Sequence, residues 1–179
     1  LDNCVIRQRS VEFNGHRISA AGMQPLQSNV AGLLQMPVPV NQKQLTRFIC
    51  TATYYMKFIP GFADICEPLR RLQQSDTWKW SSTCQNTFEM LKAKLVTAPV
   101  LAHFDVDKRT VLACDASATA VGACLSQIDN GGEERPIAYI SRSLSATERR
   151  YSASEREGLA CVWACERLNF YLYGRKFTL

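Results

Sequence analysis

The hydrophobic pattern of this chain changes period at Pro99. Over residues 25–96, apolar residues recur every three or four positions, as on one face of a helix. After Pro99, they gather in short runs bounded by turn residues, as in strands. A chain built this way has a helical part followed by a sheet part, so the expected class is α/β (α+β overall).

Within the helical part, Asn41 stands where its side chain can cap a helix. Leu45, Phe48, Ile49, Ala52 and Tyr55 follow at helical spacing, and the pattern ends near Phe58-Ile59, before Pro60-Gly61. A further helix is predicted from about Phe62 to Leu72. Another, capped by Ser81 or Ser82, runs to about Leu95 with Phe88, Leu91 and Leu95 as its apolar stripe. Upstream, Val5-Ile6, Val11-Glu12-Phe13, Gly15 and Ile18 predict a hairpin over 5–20. Pro25 opens a helix over 25–35 carrying Leu26, Val30, Leu33 and Leu34, and Pro37 and Pro39 end it.

In the sheet part, Thr110 to Asp115, Ala120 to Gln127 and Arg135 to Arg142 predict three strands. Their connections are short and include Asp129-Asn130-Gly131-Gly132, so they pair antiparallel. Glu148 to Tyr173 predicts a helix. Leu159, Val162, Trp163 and Phe170 form one face, Cys161, Cys165, Leu168 and Leu172 widen it, and Gly174 is the C-cap. Phe177-Thr178-Leu179 begins a fourth strand.

Composition narrows the class. With 46% hydrophobic and 21% charged residues, the chain is neither disordered nor fibrous. No apolar run approaches the ~20 residues of a membrane helix, so no membrane partner is expected. Eight cysteines contain no Cys-x-x-Cys pair, and His16 and His103 are isolated, which argues against zinc and for reduced thiols in an intracellular setting. A net charge of +5 leans weakly toward an anionic partner. The chain starts without Met and stops inside a strand pattern, so it reads as an excerpt of something longer.

Two carboxylates stand out. Asp115 closes the first predicted strand among apolar neighbours, where an acid needs a partner or an ion. Glu157 lies on the following helix. If that helix packs on the sheet, Glu157 projects toward the end of the same strand, and two hard oxygen ligands suit Mg²⁺ or Mn²⁺. The plainer alternative is that Glu155, Arg156 and Glu157 form a solvated charged face. Lys43, Arg47 and Lys57 are likewise either a phosphate-contacting stripe or solubilising charges. His16 reads as a turn residue, Tyr54, Tyr55 and Phe58 as helix packing, and Trp78 and Trp80 as core.

Several motifs in collinear order carry a resemblance. Asp115-Ala116-Ser117, Gly122-Ala123, Leu125-Ser126-Gln127, Arg135-Pro136-Ile137-Ala138-Tyr139, Ser141-Arg142-Ser143-Leu144-Ser145, and Tyr151-Ser152 leading to Glu155, Glu157 and Leu159-Ala160 resemble the ribonuclease H domain of gypsy-class retrotransposon polyproteins. So does Tyr171-Leu172-Tyr173-Gly174. Phe13-Asn14-Gly15-His16-Arg17 resembles the end of a reverse transcriptase palm. Leu45, Phe48-Ile49, Tyr54-Tyr55, Phe58-Ile59-Pro60, Phe62 and Pro68-Leu69 resemble its thumb, and Trp80, Phe88, Leu91-Lys92, Leu95 and Pro99 the bridge between them.

The resemblance implies three parts: a palm or primer-grip remnant over 1–20, a thumb or connection-like segment over 21–98, and a partial RNase H-like domain over 99–179 with a three-stranded antiparallel sheet and a packed helix. It implies that Asp115 and Glu157 are the first and second metal-binding carboxylates, with Mg²⁺ or Mn²⁺ as cofactor. A third carboxylate would follow residue 179, and the polymerase centre would precede residue 1. The implied partners are an RNA–DNA hybrid and a template–primer duplex, with Gly15, His16, Lys43 and Arg47 as nucleic-acid contacts. The implied activity is RNA-directed DNA synthesis and two-metal hydrolysis of RNA in hybrids. The alternative is a catalytically dead or domesticated nucleic-acid-binding relic. Departures from the family pattern are Asn14 in place of Leu, Cys50 in place of Gly, and Gly158 in place of Ala within the helix.

Overall fold

The computed structural model describes residues 8–179, so the expected strand residues Val5 and Ile6 lie outside it. Strands β1 (Ser10–Phe13) and β2 (His16–Ser19) form the expected hairpin. Its two-residue turn, Asn14-Gly15, has φ of 44° and 71°, a pair of positive values that matches strand twist and that asparagine tolerates well. Asn14 is thus suited to its place although it departs from the family pattern. A third strand, β3 (Gly22–Pro25), adds to β2 antiparallel. Pro25 therefore ends an edge strand, where its missing N–H costs nothing, and does not open the next helix as expected. That helix, α1, spans Gln27–Leu34.

Helix α2 (Gln42–Tyr54) starts where predicted, with the Gln44 amide donating to Asn41 Oδ1 at 2.9 Å. A 3-10 turn, Met56–Phe58, follows. The single helix expected over 62–72 is two, α3 (Phe62–Ile65) and α4 (Glu67–Gln73). Pro68 has no amide to give back to the carbonyl four residues earlier, so the helix restarts at Cys66. Helix α5 (Ser82–Val96) is capped by Ser81, whose hydroxyl accepts from the Cys84 amide at 3.2 Å. These helices bury one core centred on Phe48, Phe58, Phe62, Phe88, Leu69 and Leu91, with Phe48 and Phe88 rings 4.5 Å apart.

The second sheet contains β4 (Thr110–Ala116), β5 (Ala120–Ile128), β6 (Glu134–Ser143) and β7 (Phe177–Thr178) in the order β6-β5-β4-β7. The first three pair antiparallel as predicted, and β7 adds a parallel fourth strand beside β4. The helix expected over 148–173 is interrupted. A 3-10 turn at Glu148–Arg150 precedes α6 (Ala153–Arg167), and α7 (Asn169–Leu172) follows. Ser152 and Glu155 close α6 with a reciprocal capping box, which gives Glu155 a structural role.

The buried stripe of α6 and α7 is Ala160, Ala164, Leu168 and Leu172. The expected face residues Val162 and Phe170 are 59% and 90% exposed. Ala160 and Ala164 face the sheet, Leu159 and Trp163 pack half-buried at its margin, and Leu168 and Leu172 fill the end of the stripe.

Strand alternation assigns the faces of this sheet. Leu112 and Cys114, with their cross-strand neighbours Leu125 and Ala123, pack toward α6. Asp115 lies on the alternate face, in one lateral row with Gly122 and Ser141. Helix α3 covers that face, and the Ala63 amide donates to Ser141 Oγ at 3.0 Å. Tyr139 on β6 packs against the helical core. Met23 of β3 and Leu101 exchange backbone hydrogen bonds of 2.7 and 2.8 Å, tying the first sheet to the approach to the second.

Candidate active site

Asp115 is exposed near the end of β4 and borders a cavity of about 460 Å³ between the sheet and α3. Asp64, Ile65, Ser117, Tyr139 and Ser141 also line it, and no Lys, Arg or His does. Gly122, beside Asp115, has no side chain and lines the same cavity. Among the described residues, the Asp115 carboxylate accepts no hydrogen bond and joins no ion pair.

Glu157 is exposed on α6, which packs on the opposite face of the sheet. It comes within electrostatic reach of Cys114, the chain neighbour of Asp115. Burial, then Cys161 and Cys165, then the Glu157 charge push the Cys114 thiol up to about 12, so it stays protonated at neutral pH. Glu157 also accepts no hydrogen bond among the described residues. Asp115 thus lies on the face that α3 covers and Glu157 on the helix that covers the other face; each offers uncommitted carboxylate oxygens, the hard-donor chemistry a divalent cation takes. No cluster of three or more His, Cys, Asp or Glu suited to a metal occurs among the described residues.

The other expected contacts separate. Gly15 and Arg47 border one groove of about 580 Å³ together with Asn14, Asn29 and Tyr54. Lys43 is exposed one turn before Arg47 on α2. His16 is only 7% exposed, so direct contact with a ligand is corrected to a packing role. Its ring stacks on Phe58 at 5.6 Å and lies 5.3 and 5.9 Å from Tyr54 and Tyr55. Burial, with the Lys57 charge nearby, holds His16 below the usual histidine value. Lys57 is itself half-buried, donates to Met23 Sδ at 3.2 Å and does not join the exposed basic residues.

Asp64 is the residue that sequence reasoning missed. It accepts from Ser117 Oγ at 2.7 Å and from Thr119 Oγ1, joining α3 to the β4–β5 turn. Nothing local in Phe62-Ala63-Asp64-Ile65 points to partners more than fifty positions away.

Three antiparallel strands, a covering helix and a parallel fourth strand, with an acid on the first strand and another on the helix, define the RNase H-like class of folds. Residues 80–179 match the family described as an RNase H-like domain found in reverse transcriptase, and the chain belongs to that family. The Tf2-3 and Tf2-4 transposon polyproteins of Schizosaccharomyces pombe (strain 972 / ATCC 24843) are each 38% identical over 170 residues. The match takes in 94% of this chain and 13% of each relative, in keeping with the gypsy-class resemblance. The fold is shared with foamy viral protease-reverse transcriptase. Its complex with double-stranded DNA has a TM-score of 0.81 at 22% identity, covering 95% of this chain and 30% of that one. The complex with RNA/DNA hybrid has a TM-score of 0.79 at 22% identity, covering 95% and 23%. No helix among the described residues is long and apolar enough to cross a membrane.

Proposed function

We propose that this chain is the part of a retrotransposon reverse transcriptase–ribonuclease H that carries the start of the nuclease and the segment joining it to the polymerase. Residues 1–20 are the palm remnant, 21–98 the thumb or connection-like segment, and 99–179 the nuclease part. The observation carrying this reading is the exposed, uncommitted Asp115 on the inner strand β4, in a unit matching the RNase H-like family.

RNase H-like domains generally use divalent metal ions. Asp115 and Glu157 are the residues that would hold Mg²⁺ or Mn²⁺ here, and the bound ion supplies charge neutralisation at a phosphodiester. Cys114 keeps its proton, so the strand beside Asp115 adds no competing thiolate charge. Gly122 and Asp115 line the same cavity, which leaves room beside the Asp115 oxygens.

The substrate is an RNA–DNA hybrid, recognised by backbone shape and 2′-hydroxyls. Lys43 and Arg47 supply positive charge to the phosphates of the template–primer duplex beside Gly15. His16 holds the hairpin against α2 from within.

A Mn²⁺ titration of the ¹⁵N-labelled chain tests the metal site. Line broadening should centre on residues 115 and 157, saturate, and disappear in Asp115→Asn. Broadening that is uniform, or unchanged in the variant, would refute the assignment.

A further inference from the structure

The geometry points to Asp64, on α3 of the helical segment, as a positioning residue for Asp115. This inference rests on the reading of Asp115 as a metal-binding carboxylate. Ser117 is the last residue of the Asp115-Ala116-Ser117 motif, two positions from Asp115 and on the same side of the strand's continuation. Its hydroxyl organises the turn into β5, accepting from the Thr119 amide at 3.0 Å and the Ala120 amide at 2.9 Å. A hydroxyl has one proton to give. Asp64 Oδ1, at 2.7 Å, is the nearest acceptor and the only carboxylate oxygen among them, while the Ala120 carbonyl and Thr119 Oγ1 stand at 3.3 Å. Thr119 Oγ1 donates to the same Asp64 oxygen. One carboxylate thus ties both hydroxyls of the turn.

Two further contacts make the tie a brace for Asp115. The residue before Asp64, Ala63, donates to Ser141 Oγ at 3.0 Å, and Ser141 shares the lateral row of Asp115 across Gly122. From the other face, Arg156 Nη1 donates to the Ser117 carbonyl at 3.1 Å. Helix α3 therefore holds the position two residues beyond Asp115 and the position across the row, while α6 holds the same turn from behind. Displacement of the helical segment would move the carboxylate through Asp64.

Amide exchange and Mn²⁺ affinity, measured in the full chain for Asp64→Ala and Asp64→Asn, test this. Asparagine keeps one acceptor oxygen without the charge. In Asp64→Ala the amides of Thr119 and Ala120 should exchange about tenfold faster, the scale of one charge-assisted hydrogen bond. Mn²⁺ affinity at Asp115 should fall several-fold, and Asp64→Asn should recover most of both losses. Unchanged exchange at Thr119 and Ala120 would show that Asp64 does not hold the turn. Faster exchange with unaltered Mn²⁺ affinity, or equal affinity losses in both variants, would overturn the positioning role, the latter because charge alone would then account for it. A native chain with no Mn²⁺ site overturns the positioning role together with the metal-site reading, and the exchange data, which need no metal, tell that failure from a missing brace.

Discussion

Substituting Gly22 by alanine puts the joint between the first sheet and the approach to the second under direct test. Gly22 opens β3 with φ of +131°, a backbone region that side chains rarely adopt. An added Cβ would collide with the Leu101 carbonyl oxygen and come within 3.0 Å of both the Leu101 carbonyl carbon and Val100 Cγ1. That carbonyl is not free to swing away. It accepts the Met23 amide at 2.7 Å, and the Leu101 amide returns a bond to Met23 at 2.8 Å. Relief therefore means opening the bridge. Two hydrogen bonds at about 1 kcal/mol each, plus about 1 kcal/mol or more of backbone strain, give a loss of about 3 kcal/mol. For a chain of this size that corresponds to a fall in Tm of roughly 6–12 °C. Urea and thermal unfolding followed by circular dichroism measure the total, and amide exchange at Met23 and Leu101 locates it. Gly61 also has positive φ (+63°), but a Cβ there meets nothing within 4 Å, so Gly61→Ala should cost only the conformational share, about 1 kcal/mol. A loss below 1 kcal/mol for Gly22→Ala, or one no larger than that of Gly61→Ala, would refute the collision argument.

Gly158 lies inside α6, and a Cβ added there meets nothing within 4 Å, so Gly158→Ala should raise stability by about 1 kcal/mol in the same unfolding assay while leaving the fold unchanged. Glu148 receives both Arg142 guanidinium nitrogens, at 2.8 and 2.9 Å, and the Ser145 amide, and these hydrogen bonds lower its carboxyl to about 2. Its contribution is therefore complete above the ordinary glutamate value near 4.5 and is lost as pH falls toward 2. Glu148→Gln should lower stability at neutral pH by on the order of 1 kcal/mol and flatten that acid limb. An acid limb of unchanged slope would show that other carboxylates carry it.

Periodicity and punctuation locate most elements because the information they need is local. The Asn41 and Ser81 caps, the three antiparallel strands and the Asn14-Gly15 turn each depend on residues within a few positions. The place of Asp115 at the end of a strand is legible in the same way, but its exposure, which removes the need for a partner, is not. Tertiary packing hides the rest. Which stripe of α6 faces the sheet depends on how the two pack, which buries Ala160 and Ala164 and leaves Val162 exposed. His16 reads as a turn residue until Tyr54, Tyr55 and Phe58 close around it. Asp64 is an ordinary helix-surface acid until the chain brings Ser117 and Thr119 to it.

The four-stranded sheet is clad on one side by a helix that follows its first three strands in the chain and on the other by helices that precede them. During synthesis, the earlier helices emerge with enough apolar surface to collapse among themselves before any of these strands exists. They then present the growing strands with a prepared wall, so the earlier half of the molecule offers the later half a surface to fold against.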